Sequence, residues 1–150
     1  MTGNRLSANT FRFNLLIIYN LFYNLRLNLL IMPQKKCVLI CDDDTGILEA
    51  CKMILSEDYR VETAEKCLNI IEEVEKVQPD IILMDIRIPG GGERAVNLIH
   101  ESEEFSNIPV IVFSALSDIR EISERVNATA VIEKPFGINT LLETIQENIL

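Results

Sequence analysis

No acidic residue precedes Asp42, yet all 23 acids of the chain follow from that point. Of the 14 Lys and Arg, only Arg5, Arg12 and Arg26 lie in the first 32 residues. The other 11 face all 23 acids, a balance of −12 from Pro33 onward against −9 for the whole chain. A surface of that sign repels phosphate backbones, so direct nucleic-acid binding is not expected, whereas basic proteins and metal cations are favoured. Glycine (6) and proline (5) are scarce, and 48 % hydrophobic with 25 % charged residues describes a folded globular domain, not a disordered chain. Paired C-x-x-C spacing is absent, so Cys37, Cys41, Cys51 and Cys67 read as small buried thiols and not as a zinc site. Nothing among them requires an oxidising compartment, and the expected address is the cytoplasm. The one histidine, His100, stands beside Glu101 without the flanking pattern of a phosphodonor and reads as an exposed structural residue.

A long uninterrupted apolar run is also lacking. Asn14, Asn20, Asn24, Asn28 and Arg26 break the stretch Phe11–Met32, which would otherwise approach the roughly 20 apolar residues of a membrane span. No small-residue cleavage site follows it, as a secretory signal would require. Two readings remain for residues 1–32: an amphipathic, membrane-associating helix, or upstream sequence translated from a start placed too early. The second draws on Met32, which opens the hydrophilic lead Met32-Pro33-Gln34-Lys35-Lys36. The expected organisation is an extension over 1–32 and one domain over 33–150, with a membrane partner only if the extension is genuine.

From Cys37 the hydrophobic pattern alternates between two kinds of segment. Cys37–Cys41, Ile81–Met84 and Val110–Phe113 are short apolar runs, each closed by a polar residue, the signature of buried strands. Tyr59–Thr63 and Ala130–Glu133 supply two more. Between them, apolar residues recur at helical spacing: Ile47, Leu48, Cys51, Ile54 and Leu55; Leu68, Ile70, Ile71 and Val74; Ala95, Val96, Leu98 and Ile99; a weaker set over 118–126; and Leu141, Leu142, Ile145 and Ile149. Strict alternation of five strands and five helices predicts an α/β fold: a five-stranded parallel sheet, doubly wound, in a three-layer sandwich. In such sheets the functional crevice lies at the carboxyl ends of the strands.

Those ends carry the polar chemistry. The first strand ends in Asp42-Asp43-Asp44, the third in Asp85, the fourth in Ser114 and the fifth in Lys134. Asp44 suits the cap of the helix starting at Thr45. Carboxylates gathered elsewhere in this set repel one another unless a cation neutralises them, and hard oxygen donors suit Mg²⁺. An ammonium and a hydroxyl nearby would offset charge on a phosphoryl group, and one carboxylate could accept that group as a nucleophile. The triple glycine Gly90-Gly91-Gly92 beside Asp85 is expected to permit local movement.

Four blocks in this order, Val38–Asp44, Ile81–Gly90, Val110–Ala115 and Lys134-Pro135-Phe136, resemble the four signatures of response-regulator receiver domains, which have the flavodoxin-like (CheY-like) fold. The resemblance runs from about Lys35 to Leu150. It implies that Asp85 is the phosphoacceptor, that Asp42 and Asp43 with Asp85 and the backbone carbonyl of Arg87 hold Mg²⁺, that Ser114 is the switch hydroxyl, that Lys134 partners the phosphate, and that Lys134-Pro135 is a cis peptide. It also implies a sensor histidine kinase or histidine phosphotransfer protein as donor, a downstream target protein, and signalling rather than enzymatic work. Two positions depart from the pattern. Val131 stands where receivers commonly carry an aromatic residue, and Arg87, two after the acceptor, could place its side chain over the site. The competing reading is a haloacid-dehalogenase-type phosphatase using Asp42, since Asp42-Asp43-Asp44-Thr45-Gly46 approaches the opening motif of those enzymes; it leaves Asp85 and the Pro-Gly after it without a role.

Overall fold

Three strands are buried along their whole length because helices cover them on both faces. These are β1 (Cys37–Cys41), β3 (Ile81–Asp85) and β4 (Val110–Ser114). The edge strands β2 (Arg60–Ala64) and β5 (Ala130–Glu133) are less covered, each with a single buried residue, Val61 and Ile132. In the computed structural model, which describes residues 17–26, 34–115 and 117–149, the five strands form one parallel sheet in the order β2-β1-β3-β4-β5. The helices between them are α1 (Thr45–Leu55), α2 (Ile70–Val77), α3 (Gly92–Glu101), α4 (Ile119–Arg125) and α5 (Ile138–Asn148). The expected doubly wound α/β sandwich is therefore the observed one.

Two cores flank the sheet, and strand alternation decides which side chain enters which. Cys37, Leu39, Cys41, Ile82, Met84, Val110 and Val112 meet α2, α3 and α4 through Ile70, Val74, Val96, Ile99, Ile119 and Ile122. Val38, Ile40, Ile81, Leu83, Ile111 and Phe113 meet α1 and α5 through Leu48, Cys51, Leu55, Leu141 and Ile145. All four cysteines are free and buried, Cys37 and Cys41 on one face as their spacing requires. Two expectations are corrected. Leu68 is exposed and precedes α2, which begins only at Ile70. His100 is half-buried, and its Nδ1 lies 3.1 Å from the carbonyl oxygen of Val126, bridging α3 to the end of α4.

The chain divides into two compact units, Met1–Gln34 and Lys35–Leu150. In the first, residues 17–26 are helical, with Ile17, Leu21, Phe22 and Leu25 exposed and the rings of Tyr19 and Tyr23 stacked at 6.3 Å. Among the described residues no helix is long and apolar enough to cross a membrane. Met32 and much of the Phe11–Met32 stretch lie outside the described residues.

Burial of the thiols has a measurable consequence. Desolvation pushes Cys51 from its ordinary 9.0 up to about 11, with the Asp42 carboxylate acting in the same direction and Lys134 opposing it. The unfolded chain releases this proton near pH 9 while the native protein holds it to about 11, so stability falls as pH rises through that window. The loss amounts to about 2–3 kcal/mol. Urea unfolding at pH 8 and pH 10.5 checks this: Cys51→Val is expected to lose less stability than the native chain over the same interval.

Candidate functional site

Parallel register brings the functional side chains to one edge of the sheet. Cys41 is level with Met84, so Asp42 and Asp85 emerge side by side from β1 and β3. These two strands flank the point where the chain reverses its direction of travel across the sheet, the place where α/β sheets open a crevice. Asp85 is level with Phe113, and Ser114 with Glu133, so Ser114 and Lys134 lie at the same rim from β4 and β5.

Lys134 joins the two carboxylates. Its Nζ donates to Asp42 Oδ2, and to Asp85 Oδ1 at 3.2 Å. The other oxygen of each acid is also engaged: the Asp44 amide donates to Asp42 Oδ1 and the Arg87 amide to Asp85 Oδ2, both at 2.9 Å. Asp42 and Asp85 are only 1 % and 5 % exposed, and carboxylates so far from water persist only when paired and hydrogen-bonded. Lys134 Nζ also stands 4.3 Å from the centroid of the Phe113 ring, which is backed by Phe136 at 6.2 Å. This aromatic support for the ammonium was not read from the sequence; its one signal is the aromatic that closes the otherwise aliphatic run Val110–Val112.

Asp43 remains exposed, and one carboxylate oxygen each from Asp42, Asp43 and Asp85 lie within 4.8 Å of one another. Three carboxylates against one ammonium leave net negative charge, and their hard oxygen donors fit a divalent cation of the Mg²⁺ kind. Asp44 takes no part, because its Oδ1 caps α1 by accepting from the Gly46 and Ile47 amides, as its position predicted. Ser114 is fully buried, and among the described residues its Oγ has no hydrogen-bond partner. A buried hydroxyl left unpaired is costly. Lys134-Pro135 is cis.

The glycine run is also shaped by close approach. Gly92 is the first residue of α3, and a Cβ there would overlap the Asp85 carbonyl oxygen and stand 2.7 Å from Ile86 Cα. Glycine at this position lets α3 approach the back of Asp85.

The sequence profile described as the response regulator receiver domain matches residues 38–146, which hold every one of these groups. The chain belongs to that family. It is similar to the protein-glutamate methylesterase/protein-glutamine glutaminase 2 of Paramagnetospirillum magneticum, 35 % identical over 71 % of this chain and 32 % of that protein. It is also similar to the KDP operon transcriptional regulatory protein KdpE of Escherichia coli, 33 % identical over 69 % of this chain and 47 % of that one. The receiver thus spans less than half the length of these two relatives. Among solved structures, a CheY-like receiver domain protein from Methanospirillum hungatei matches with a TM-score of 0.70 and 30 % identity, over 77 % of this chain and 94 % of that one. The receiver domain of a sensor histidine kinase from Pseudomonas aeruginosa, solved with magnesium coordinated in its active-site cleft, matches with a TM-score of 0.70 and 25 % identity, over 77 % and 98 %. Membership in the receiver family displaces the phosphatase reading built on Asp42.

Removing the ammonium that this receiver places between Asp42 and Asp85 leaves two buried carboxylates without their cation. Lys134→Met is expected to lower folding stability by about 3 kcal/mol, measured by urea unfolding at neutral pH in metal-free buffer.

Proposed function

We propose that this receiver, residues 33–150, accepts a phosphoryl group on Asp85 from a phosphohistidine of a sensor histidine kinase or histidine phosphotransfer protein. The observation that carries the reading is the cluster itself: a nearly buried carboxylate, held by Lys134 Nζ and the Arg87 amide, beside two further carboxylates. An oxygen of Asp85 attacks phosphorus, the P–N bond to the donor imidazole breaks, and its electron pair returns to the ring nitrogen, leaving an acyl phosphate on Asp85.

Asp42, Asp43, Asp85 and the Arg87 backbone carbonyl are the groups that would hold Mg²⁺. When bound, the cation supplies positive charge beside the phosphoryl oxygens. Lys134 supplies a second positive charge from the opposite side, and the unpartnered Ser114 hydroxyl supplies a hydrogen-bond donor. Phosphorylation would bias an existing conformational equilibrium at the face made by α4, β5 and α5, where a downstream protein would bind. On this reading the domain is a signalling switch that turns over no external substrate beyond its own phosphorylation and dephosphorylation. The acidic balance of −12 from Pro33 onward argues for a protein target and against nucleic acid.

Intact-mass analysis after incubation with acetyl phosphate and Mg²⁺ tests the proposal. One phosphoryl group is expected on the native chain, none without Mg²⁺ and none on Asp85→Ala. An adduct that persists in Asp85→Ala, or no adduct on the native chain, would remove Asp85 from the role.

A further inference from the structure

The loop between β3 and α3 supplies the Arg87 amide to Asp85 and, on the proposed reading, the Arg87 carbonyl to the metal. Its near end is closed on itself: the Gly91 amide donates to Ile88 O at 3.0 Å, and the Gly92 amide to Ile86 O at 3.1 Å. Its outer turn is held by the loop between β2 and α2. The Cys67 amide donates to Pro89 O at 2.9 Å, and Cys67 Sγ lies 3.6 Å from the same oxygen. The next residue, Gly90, lies against the same segment. A Cβ on Gly90 would stand 2.9 Å from Cys67 C and 2.9 Å from Leu68 N, both backbone atoms that cannot swing aside. Gly90 also has φ +107°, a conformation that only glycine adopts without strain. Cys67 itself is 1 % exposed and packed in the core under α2 and α3, so the anchor is fixed.

We propose that this Cys67–Gly90 contact is a latch that positions the β3–α3 loop, making Gly90 and Cys67 positioning residues for cation binding and phosphorylation at Asp85. Neither touches the reacting groups. The latch fixes how far the Arg87 backbone can move from Asp85, and outer groups of this kind orient the groups that hold a metal. The inference rests on the reading of Asp85 and Arg87 given above.

The neighbouring glycine supplies an internal control. Gly91 has φ +85°, but a Cβ there would meet only Arg94 Cβ at 3.7 Å. Gly90→Ala and Gly91→Ala therefore both carry a backbone penalty, and only the first presses on Cys67 and Leu68. Mg²⁺ affinity by titration calorimetry, phosphorylation rate with acetyl phosphate, and metal-free thermal midpoint are measured on the full chain. Gly90→Ala is expected to weaken Mg²⁺ binding and slow phosphorylation by about tenfold each, with Gly91→Ala close to native in both. Should Gly90→Ala fail to fold, a second pair reads the same latch. Cys67→Val fills the core and keeps the backbone amide bond to Pro89 O but loses the side-chain donor, and is expected to weaken Mg²⁺ binding about threefold, while Cys67→Ser, which keeps a side-chain donor, restores it. Equal Mg²⁺ affinity in Gly90→Ala and Gly91→Ala, or in the two Cys67 variants, overturns the latch and leaves the phosphoacceptor reading standing. A native chain that neither binds Mg²⁺ nor gains a phosphoryl group takes both down together.

Discussion

Asp42 and Asp85 share one ammonium group, and the rest of the site is arranged around that shortage of positive charge. Their side chains are 1 % and 7 % exposed, and that of Lys134 is 12 % exposed. Unit charges about 4 Å apart at a protein-like dielectric interact by about 4 kcal/mol, so the two acids would strongly destabilise the sheet edge without Lys134. With Asp43 added, one cation no longer balances the cluster. The remaining imbalance, carried by hard oxygen donors, suits a divalent metal. Stability and function thus draw on the same charges, which is a common condition of sites that must be both folded and reactive.

Such a cluster needs a scaffold that does not yield. Five parallel strands in register present four polar residues at one rim, and the helices on both faces leave no apolar edge of the central strands in water. Aromatic support under Lys134 and the approach of Gly92 to the back of Asp85 remove two further degrees of freedom. The positively charged end of Lys134 is therefore placed by Phe113 as well as by the acids it pairs with.

Strand and helix positions were legible because the apolar runs are short, continuous and separated by helical periodicity; the three central strands fall where their sequence places them. The site was legible for a related reason: in a parallel sheet, the residue that ends each apolar run lies at the same rim as all the others. Asp42, Asp85, Ser114 and Lys134 could be gathered by that rule alone. What could not be read depends on contacts between loops. Leu68 has helical spacing from Ile71, but the chain is still bending past Gly90 at that point, and the helix starts two residues later. Gly90-Gly91-Gly92 looked like a hinge because glycine signals freedom in sequence; in three dimensions it signals close approach, to Cys67 on one side and to Asp85 on the other. His100 found a partner in Val126, a carbonyl 26 residues away that no local pattern announces.

The departure at Val131 bears on how a change at Asp85 would leave the site. Val131 is half-buried against the core that includes Ile119, Ile122 and Val126, and has no ring to rotate. Ser114 follows the same alternation as Val110 and Val112, which places it toward that core too. If its hydroxyl moves to meet a phosphoryl oxygen, the space it vacates opens beneath α4. That helix has seven residues and no side-chain hydrogen bond at its N-cap. Its polar ties to α3 are Arg125 donating to Glu93 at 2.8 and 3.2 Å, and His100 near Val126 O. An exposed ion pair of this kind contributes little to stability, so α4 is held chiefly by Ile119, Ile122 and Val126. An element retained by three apolar side chains is drawn from the low-stability end of the fold, where populations shift most readily. On the proposed reading, with Val131 in the aromatic position, repacking of those three residues would carry a change at the site to the α4–β5 surface.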